Sequence, residues 1–118
     1  MTLTPKVSAM TDFDPEKFED KYQHYFPELQ RAYKSAFETM NEAFDSELVH
    51  AIDQGVLAES EPFYEGNGEF RIELPDDAAA RISQMGVLVE EEKLDGVLAR
   101  YVEELDAELQ AVFGLANE

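Results

Sequence analysis

Residues 61–74 read EPFYEGNGEFRIEL, and this stretch decides the fold class of the chain. In its second half Phe70, Ile72 and Leu74 alternate with charged residues, a pattern that predicts a strand with one buried face. The Asn-Gly pair at 67–68 readily takes the positive φ angles of a tight hairpin turn. The stretch therefore predicts a β-hairpin whose loop has either two or three residues.

The sequence on both sides of the hairpin has the spacing of amphipathic helices. Asp14 and Pro15 suit the start of the first helix, and Asp45 suits the cap of the third. The predicted helices span residues 15–25, 27–44, 46–54 and 90–113, with a short helical turn through Ala80 and Ile82. The apolar side of the first helix consists of Phe18, Tyr22, Tyr25 and Phe26.

These elements predict an α+β fold that is mainly helical, with two long amphipathic helices and shorter helices packed on a central β-hairpin. We expect a single domain over residues 10–114, preceded by a flexible extension at 1–9 and followed by a short tail at 115–118. Residues 86–89, GVLV, are either a short third strand or the apolar entry to the last helix.

Charge is the dominant feature of the composition. The chain has 27 acidic and 9 basic residues, a formal net charge of −18, yet 44% of its residues are apolar and regularly spaced. This combination predicts a folded protein with an acidic surface that solvent cations such as K⁺ screen in a salt-rich cytoplasm. A dedicated cation-binding role and nucleic-acid mimicry are the alternatives. Nucleic-acid binding itself is disfavoured, because phosphate affinity depends on Lys and Arg.

Several classes of protein are excluded by what the sequence lacks. The chain has no Cys, which excludes disulfides, thiolate catalysis and cysteine-ligated metal centres. Neither a membrane-spanning apolar run nor a signal peptide is present, so we expect a cytoplasmic protein with no membrane partner. The sequence predicts no cofactor.

The candidates for chemistry are few. Glu47 and His50 have the E-x-x-H spacing that places a carboxylate and an imidazole on one helix face, as metal-binding bundles require. His24 joins them as a metal candidate if the first and third helices pack together. The opposing interpretation is a surface or hydrogen-bonded His50. The tyrosines lie mostly on apolar stripes, which indicates core packing, with an aromatic-lined ligand pocket as the alternative.

Five segments carry a resemblance to a known group of proteins: MTDFDPEKFEDKY, FPELQRAYKSAF, SELVHAIDQ, LAESEPFYEGNGEF and VLARYVEELDAEL. Together they resemble a family of small acidic haloarchaeal proteins whose role is not assigned. The resemblance runs from Met10 to about Phe113. It implies a salt-adapted cytoplasmic protein of uncharacterised role, and it brings no catalytic residues to this chain.

The hairpin also leads to a functional prediction. Pro62 places the first strand at an edge, and a two-stranded hairpin is marginal in water unless it packs on helices or on a second copy. We predict a non-catalytic protein-interaction or adaptor domain that forms a homodimer, either through leftover apolar surface or through pairing of strand edges. The residues expected at the contact are Tyr64, Phe70, Ile72 and Leu74. The alternative is a small-molecule-binding or metal-binding protein, or a small enzyme, with its site at a dimer interface.

Overall fold

In the computed structural model, which describes residues 13–115, helices dominate and pack on one antiparallel β-hairpin, so the predicted α+β class is confirmed. The predicted extension at 1–9 and residues 116–118 lie outside the described residues. The elements, in chain order, are a 3-10 turn (Lys17–Asp20), α1 (Lys21–His24), α2 (Phe26–Ala43), α3 (Ser46–Gly55), a 3-10 turn (Leu57–Glu59), β1 (Glu61–Gly66), β2 (Glu69–Glu73), α4 (Ala78–Gln84) and α5 (Glu91–Val112). No helix among residues 13–115 has the length and apolar content needed to cross a bilayer.

The prediction of one continuous helix over 15–25 is wrong. The chain forms a 3-10 turn, breaks at Asp20 with φ −113° and ψ 48°, and is α-helical only over Lys21–His24. Asp14 begins this short turn instead of a long helix: its Oδ1 accepts from the Glu16 N–H at 3.0 Å, and its carbonyl oxygen accepts from the Phe18 N–H at 3.2 Å. A single helical period of 3.6 residues therefore does not hold across this segment.

The break decides which aromatic side chains of this segment are buried. Phe18 and Tyr25 are buried, and the Tyr25 hydroxyl accepts a hydrogen bond from the Asp14 N–H at 2.9 Å. Tyr22 and Phe26, expected on the same buried side, are instead 55% and 49% exposed. A straight α-helix would place all four side chains on one face. The tighter 3-10 turn and the kink at Asp20 change this, so Phe18 and Tyr25 lie in the core while Tyr22 and Phe26 face solvent.

The starts of the next two helices follow the sequence. Pro27 lies in the first turn of α2, where a missing N–H costs no helical hydrogen bond. Asp45 caps α3, since its Oδ2 accepts from the Leu48 N–H at 3.0 Å. Ala32 and Ala36 of α2 are fully buried, and small residues four positions apart let α5 approach this face closely.

The hairpin has a defined register, with Tyr64 opposite Phe70 and a bulge between Tyr64 and Gly66. Asn67 takes φ +56°, as the turn prediction requires. The N–H of Phe70 donates to Asp106 of α5 at 2.8 Å, so it points away from β1. The Tyr64–Phe70 pair is therefore a non-hydrogen-bonded pair, and Pro62, two residues away on the same strand, loses no ladder bond.

The outer edges of β1 and β2 therefore offer few free backbone groups for pairing with another strand. On β1, Pro62 lacks an N–H and the bulge twists the end of the strand. On β2, Asp106 already accepts from the Phe70 N–H. Strand-edge pairing thus has few backbone groups to use, and an association surface is better sought on the helices and loops.

The core at the hairpin is aromatic. Phe113 has ring centroids of other aromatic residues at 4.7 Å (Phe13), 4.9 Å (Tyr25) and 5.9 Å (Phe18 and Phe70). α5 ends at Val112, so Phe113 in this cluster is the residue that follows the helix. A helix cap comes next: Gly114 has φ +70°, and the Leu115 N–H donates to the Gln110 carbonyl at 2.7 Å. Leu115, assigned to the tail from sequence, packs against the core as part of this helix cap.

Residues 86–89 are the apolar entry to α5, because the one sheet in the described part of the chain contains only β1 and β2. Burial alternates along the segment: Val87 and Val89 are half-buried, and Leu88 between them is 95% exposed. Gly86, with φ +83°, ends α4 and turns the chain into this segment.

Candidate functional site

The metal candidates do not form a cluster. Among residues 13–115, no group of three or more His, Cys, Asp or Glu side chains could hold a metal ion. His24, Glu47 and His50 are all exposed. His50 packs its ring against Phe37 with centroids 5.0 Å apart, and its Nδ1 lies 2.9 Å from the Ser46 carbonyl oxygen. The metal prediction for these residues gains no support from their positions.

Ser46, His50 and Asp53 lie along one side of α3 and contain the residue types of a catalytic triad. The Ser46 Oγ lies 3.3 Å from the His50 Nδ1. That nitrogen also faces the Ser46 carbonyl oxygen at 2.9 Å, so it carries the proton and donates. A donating Nδ1 cannot accept the serine proton, and the three residues therefore do not form a nucleophile–base pair.

The predicted contact residues on the hairpin lie inside the chain's own core. Phe70 and Ile72 are buried, while Tyr64 and Leu74 are half-buried against the core cluster. The Tyr64 hydroxyl accepts from the Gly68 N–H at 2.9 Å and so closes the hairpin loop. Contact of these four residues with a partner stays a prediction, and their side chains are already used in packing.

A buried polar group lies where α5 meets α3. Tyr101 is 1% exposed, and its hydroxyl makes no hydrogen bond of standard geometry within the described residues, although it lies near the Asp53 carboxylate. Burial, followed by the charge of Asp53, raises the pKa of Tyr101. Burial likewise raises the pKa of Asp53. A phenol whose pKa is raised stays protonated at neutral pH, so Tyr101 is not an activated nucleophile.

One cavity of the described chain is lined by Lys21, a residue that sequence reasoning missed. Lys21 is only 4% exposed, and its Nζ donates to Glu61 Oε2 at 2.9 Å. Three ring centroids lie around the same Nζ: Phe63 at 4.8 Å, and Phe18 and Tyr22 at 5.3 Å. A lysine ammonium held over aromatic faces and a carboxylate is stabilised by cation–π attraction and the ion pair together.

Arg71 completes this arrangement on the solvent-facing side of the hairpin. Its guanidinium carbon lies 4.7 Å from the Phe63 centroid, and the side chain donates to Glu65 at 2.6 Å and to Glu73. The cavity beside it measures about 460 Å³. Because the chain's own carboxylates engage both cations, the site holds the 15–21 segment to β1. One signal in the sequence could have pointed to Lys21 and Arg71: only nine residues of the chain are Lys or Arg, so each of them has many carboxylates available as partners.

We expect Lys21→Ala to lower the free energy of unfolding by about 2 kcal/mol, since it removes a desolvated cation from its rings and its carboxylate. Lys21→Met keeps the apolar stem, so the difference between the two variants measures packing. Urea unfolding in about 2 M KCl, where the charges are screened, provides the measurement. Lys17→Ala, an exposed lysine in the same segment, is the matched control and should change stability by less than about 0.5 kcal/mol. Equal losses for Lys21→Ala and Lys17→Ala would contradict a stabilising role for the site.

Next to the Lys21 site is a second cavity, an aromatic groove between α2 and residues 57–62. It measures about 230 Å³, and no charged side chain lines it. Its lining consists of Tyr22, Phe26, Leu29, Gln30, Tyr33, Leu57, Ala58, Ser60 and Pro62. At its base the Tyr33 hydroxyl lies 2.9 Å from Ser60 Oγ, which itself donates to the Leu57 carbonyl at 2.6 Å. Burial raises the pKa of Tyr33 to about 12, so this hydroxyl is neutral.

A third cavity lies beside the entry to α5. It measures about 210 Å³, and Leu88 stands on its rim. Its lining consists of Ala79, Ile82, Ser83, Val87, Leu88, Val89, Glu91 and Leu94. Met85 at the end of α4 is 42% exposed, but it does not line this cavity, and its side chain lies against Gly55 of α3. We call Val87, Leu88 and Val89 together the Leu88 patch.

The comparisons with known proteins give a family and no relative of known role. One family model matches residues 10–116, and its description is a family of unknown function (DUF5783). No curated protein and no solved structure matches the chain. The geometry of the described residues is therefore the main guide to function.

Proposed function

We propose, from the premise that this chain belongs to DUF5783, a family of unknown function, that it is a non-catalytic protein-interaction domain that pairs with a second copy of itself. The observation that carries this proposal is the 95% exposure of Leu88 on the rim of a mainly apolar cavity. Single exposed apolar residues are common on proteins, but a fully exposed leucine that stands on the rim of a mainly apolar cavity, between two half-buried valines, is a candidate contact surface.

The Leu88 patch has the two parts that a twofold contact needs. In such a contact the same surface faces itself, so it must contain both a projection and a recess that accepts it. Leu88 is the projection, and the cavity beside it, between α4 and the start of α5, is the recess. Each Leu88 that moves from water into the partner's cavity contributes roughly 1.5–3 kcal/mol.

The charges around the patch set a condition for this contact. Glu90 and Glu91 directly follow the patch, and Glu91 lines the recess itself. Two chains that each carry a net charge of −18 would therefore bring carboxylates close together, so we expect the pairing to require a high salt concentration.

Leu88→Asp tests the proposal, because it places a charge in the projecting position. In about 2 M KCl, where the Debye length is below about 3 Å, we expect light scattering to give twice the 13.4 kDa chain mass for the wild type and the single-chain mass for the variant. Ala107→Asp adds the same charge at an exposed α5 position outside the patch and should remain a dimer. A monomeric wild type, or a Leu88→Asp variant that stays dimeric, would overturn the proposal.

A further inference from the structure

We infer that the aromatic groove between α2 and residues 57–62 binds a short segment of another protein in which an apolar anchor residue is flanked by Lys or Arg. This surface is separate from the Leu88 patch, and the two share no residue. The inference therefore goes beyond self-association and gives the domain a second contact of different chemistry.

The exposed aromatic residues are the first reason. Tyr22 and Phe26 are 55% and 49% exposed, although both belong to residue types that are costly to leave in water. They stand four positions apart on the rim of one groove, and both line it. Aromatic residues of this kind are enriched among those that dominate binding energy at protein interfaces.

The shape and chemistry of the groove favour an apolar anchor. Leu29, Leu57 and Pro62 provide apolar walls, and none of the lining residues is charged, in a chain of which 31% is charged. The hydroxyls of Tyr33 and Ser60 at the base are already joined to each other. A charged side chain entering the groove would lose its hydration without gaining a partner, whereas an apolar one would not.

The charges around the groove favour basic flanks on the partner. Glu59 and Glu61 alternate with the lining residues along the 57–62 wall. The Glu61 carboxylate lies close enough to act on the Tyr22 and Tyr33 hydroxyls: burial is the first cause of their raised pKa values, and the charge of Glu61 contributes after it. The Glu61 side chain is 47% exposed and pairs with Lys21 through one of its oxygens, Oε2. A partner cation beside the anchor would meet these carboxylates directly.

A selection from a random peptide library tests the inference, since it presents every candidate anchor and flank to the groove at once. We expect the wild-type chain to enrich peptides that carry a Leu, Phe or other apolar residue flanked by Lys or Arg. Phe26→Ser and Tyr22→Ser should each weaken binding of an enriched, synthesised peptide by roughly tenfold or more, the loss typical of a truncated hot-spot aromatic. Ala107→Asp, away from the groove, is the control and should retain binding. Circular dichroism of each variant establishes that it is folded.

The outcomes separate the possible occupants. Enriched peptides that lack basic flanks, or that bind folded Phe26→Ser as well as wild type, would overturn the inference, as would a selection with no enrichment. Loss of the dimer in Phe26→Ser would show that a second copy occupies the groove and would overturn it too. Salt gives an independent check, because affinity for a basic peptide should fall as KCl is raised, whereas self-association of an acidic chain should strengthen.

Discussion

Phe113→Ala is expected to lower the free energy of unfolding by about 3–5 kcal/mol, the cost of truncating a fully buried aromatic residue. Phe113 is 3% exposed and contacts the rings of Phe13, Phe18, Tyr25 and Phe70. The cavity would open where the first segment, the hairpin and the end of α5 meet. Because a domain of this size is stable by only about 5–15 kcal/mol, the loss would be a large fraction of the total.

Phe26→Ala is the matched control for this experiment. It removes the same atoms from a side chain that is 49% exposed, so we expect a loss below about 1 kcal/mol. Urea unfolding followed by circular dichroism measures both variants. Similar losses at the two positions would mean that the aromatic cluster is not the centre of the core.

Removal of salt is expected to produce the other large effect. Transfer from about 2 M to about 0.05 M KCl increases the Debye length from below about 3 Å to more than about 10 Å, so the acidic residues repel one another across the surface. We expect the urea midpoint to fall sharply and the folded fraction at low salt to decrease. Glu108 illustrates the crowding, since burial and the nearby Glu104 both raise its pKa.

The identity of the salt distinguishes screening from a specific cation site. If screening is the cause, tetramethylammonium chloride should protect the fold about as well as KCl at equal ionic strength, because screening requires no coordination of the cation. Sucrose, which carries no charge, serves as the control for exclusion of solute from the surface. A chain that stays fully folded and equally stable in millimolar buffer would contradict salt adaptation.

The sequence was a good guide wherever a local rule decided the structure. The Asn-Gly turn, the alternating strand at 69–73, the Asp45 cap and the Pro27 helix start all depend on residues within a few positions of each other. The first helix was the exception. Its apolar spacing fits a helix, but the rings of Phe13, Phe18 and Tyr25 pack together only if the chain kinks at Asp20.

The candidate sites could not be predicted in the same way. Lys21 and Glu61 are 40 positions apart, and Phe63 and Arg71 reach the same cavity from two different strands. The histidines and Glu47, chosen because their spacing suits metal binding, face solvent instead. Leu88 looked like part of an apolar run, and only its exposure on the rim of a cavity distinguishes it from Val87 and Val89.

Local sequence alone determined the long helices α2 and α5, the capped helix α3, the hairpin and the acidic character, because backbone propensity, periodicity and net charge are properties of neighbouring residues or of composition. Tertiary structure alone decided which apolar side chains remain in contact with water. Tyr22, Phe26 and Leu88 are of the same residue types as their buried neighbours, and they are exposed because the packing of distant elements leaves no cover for them within the described part of the chain. Whether a side chain is exposed depends on which distant elements of the fold cover it, and a local sequence pattern contains no information about those elements.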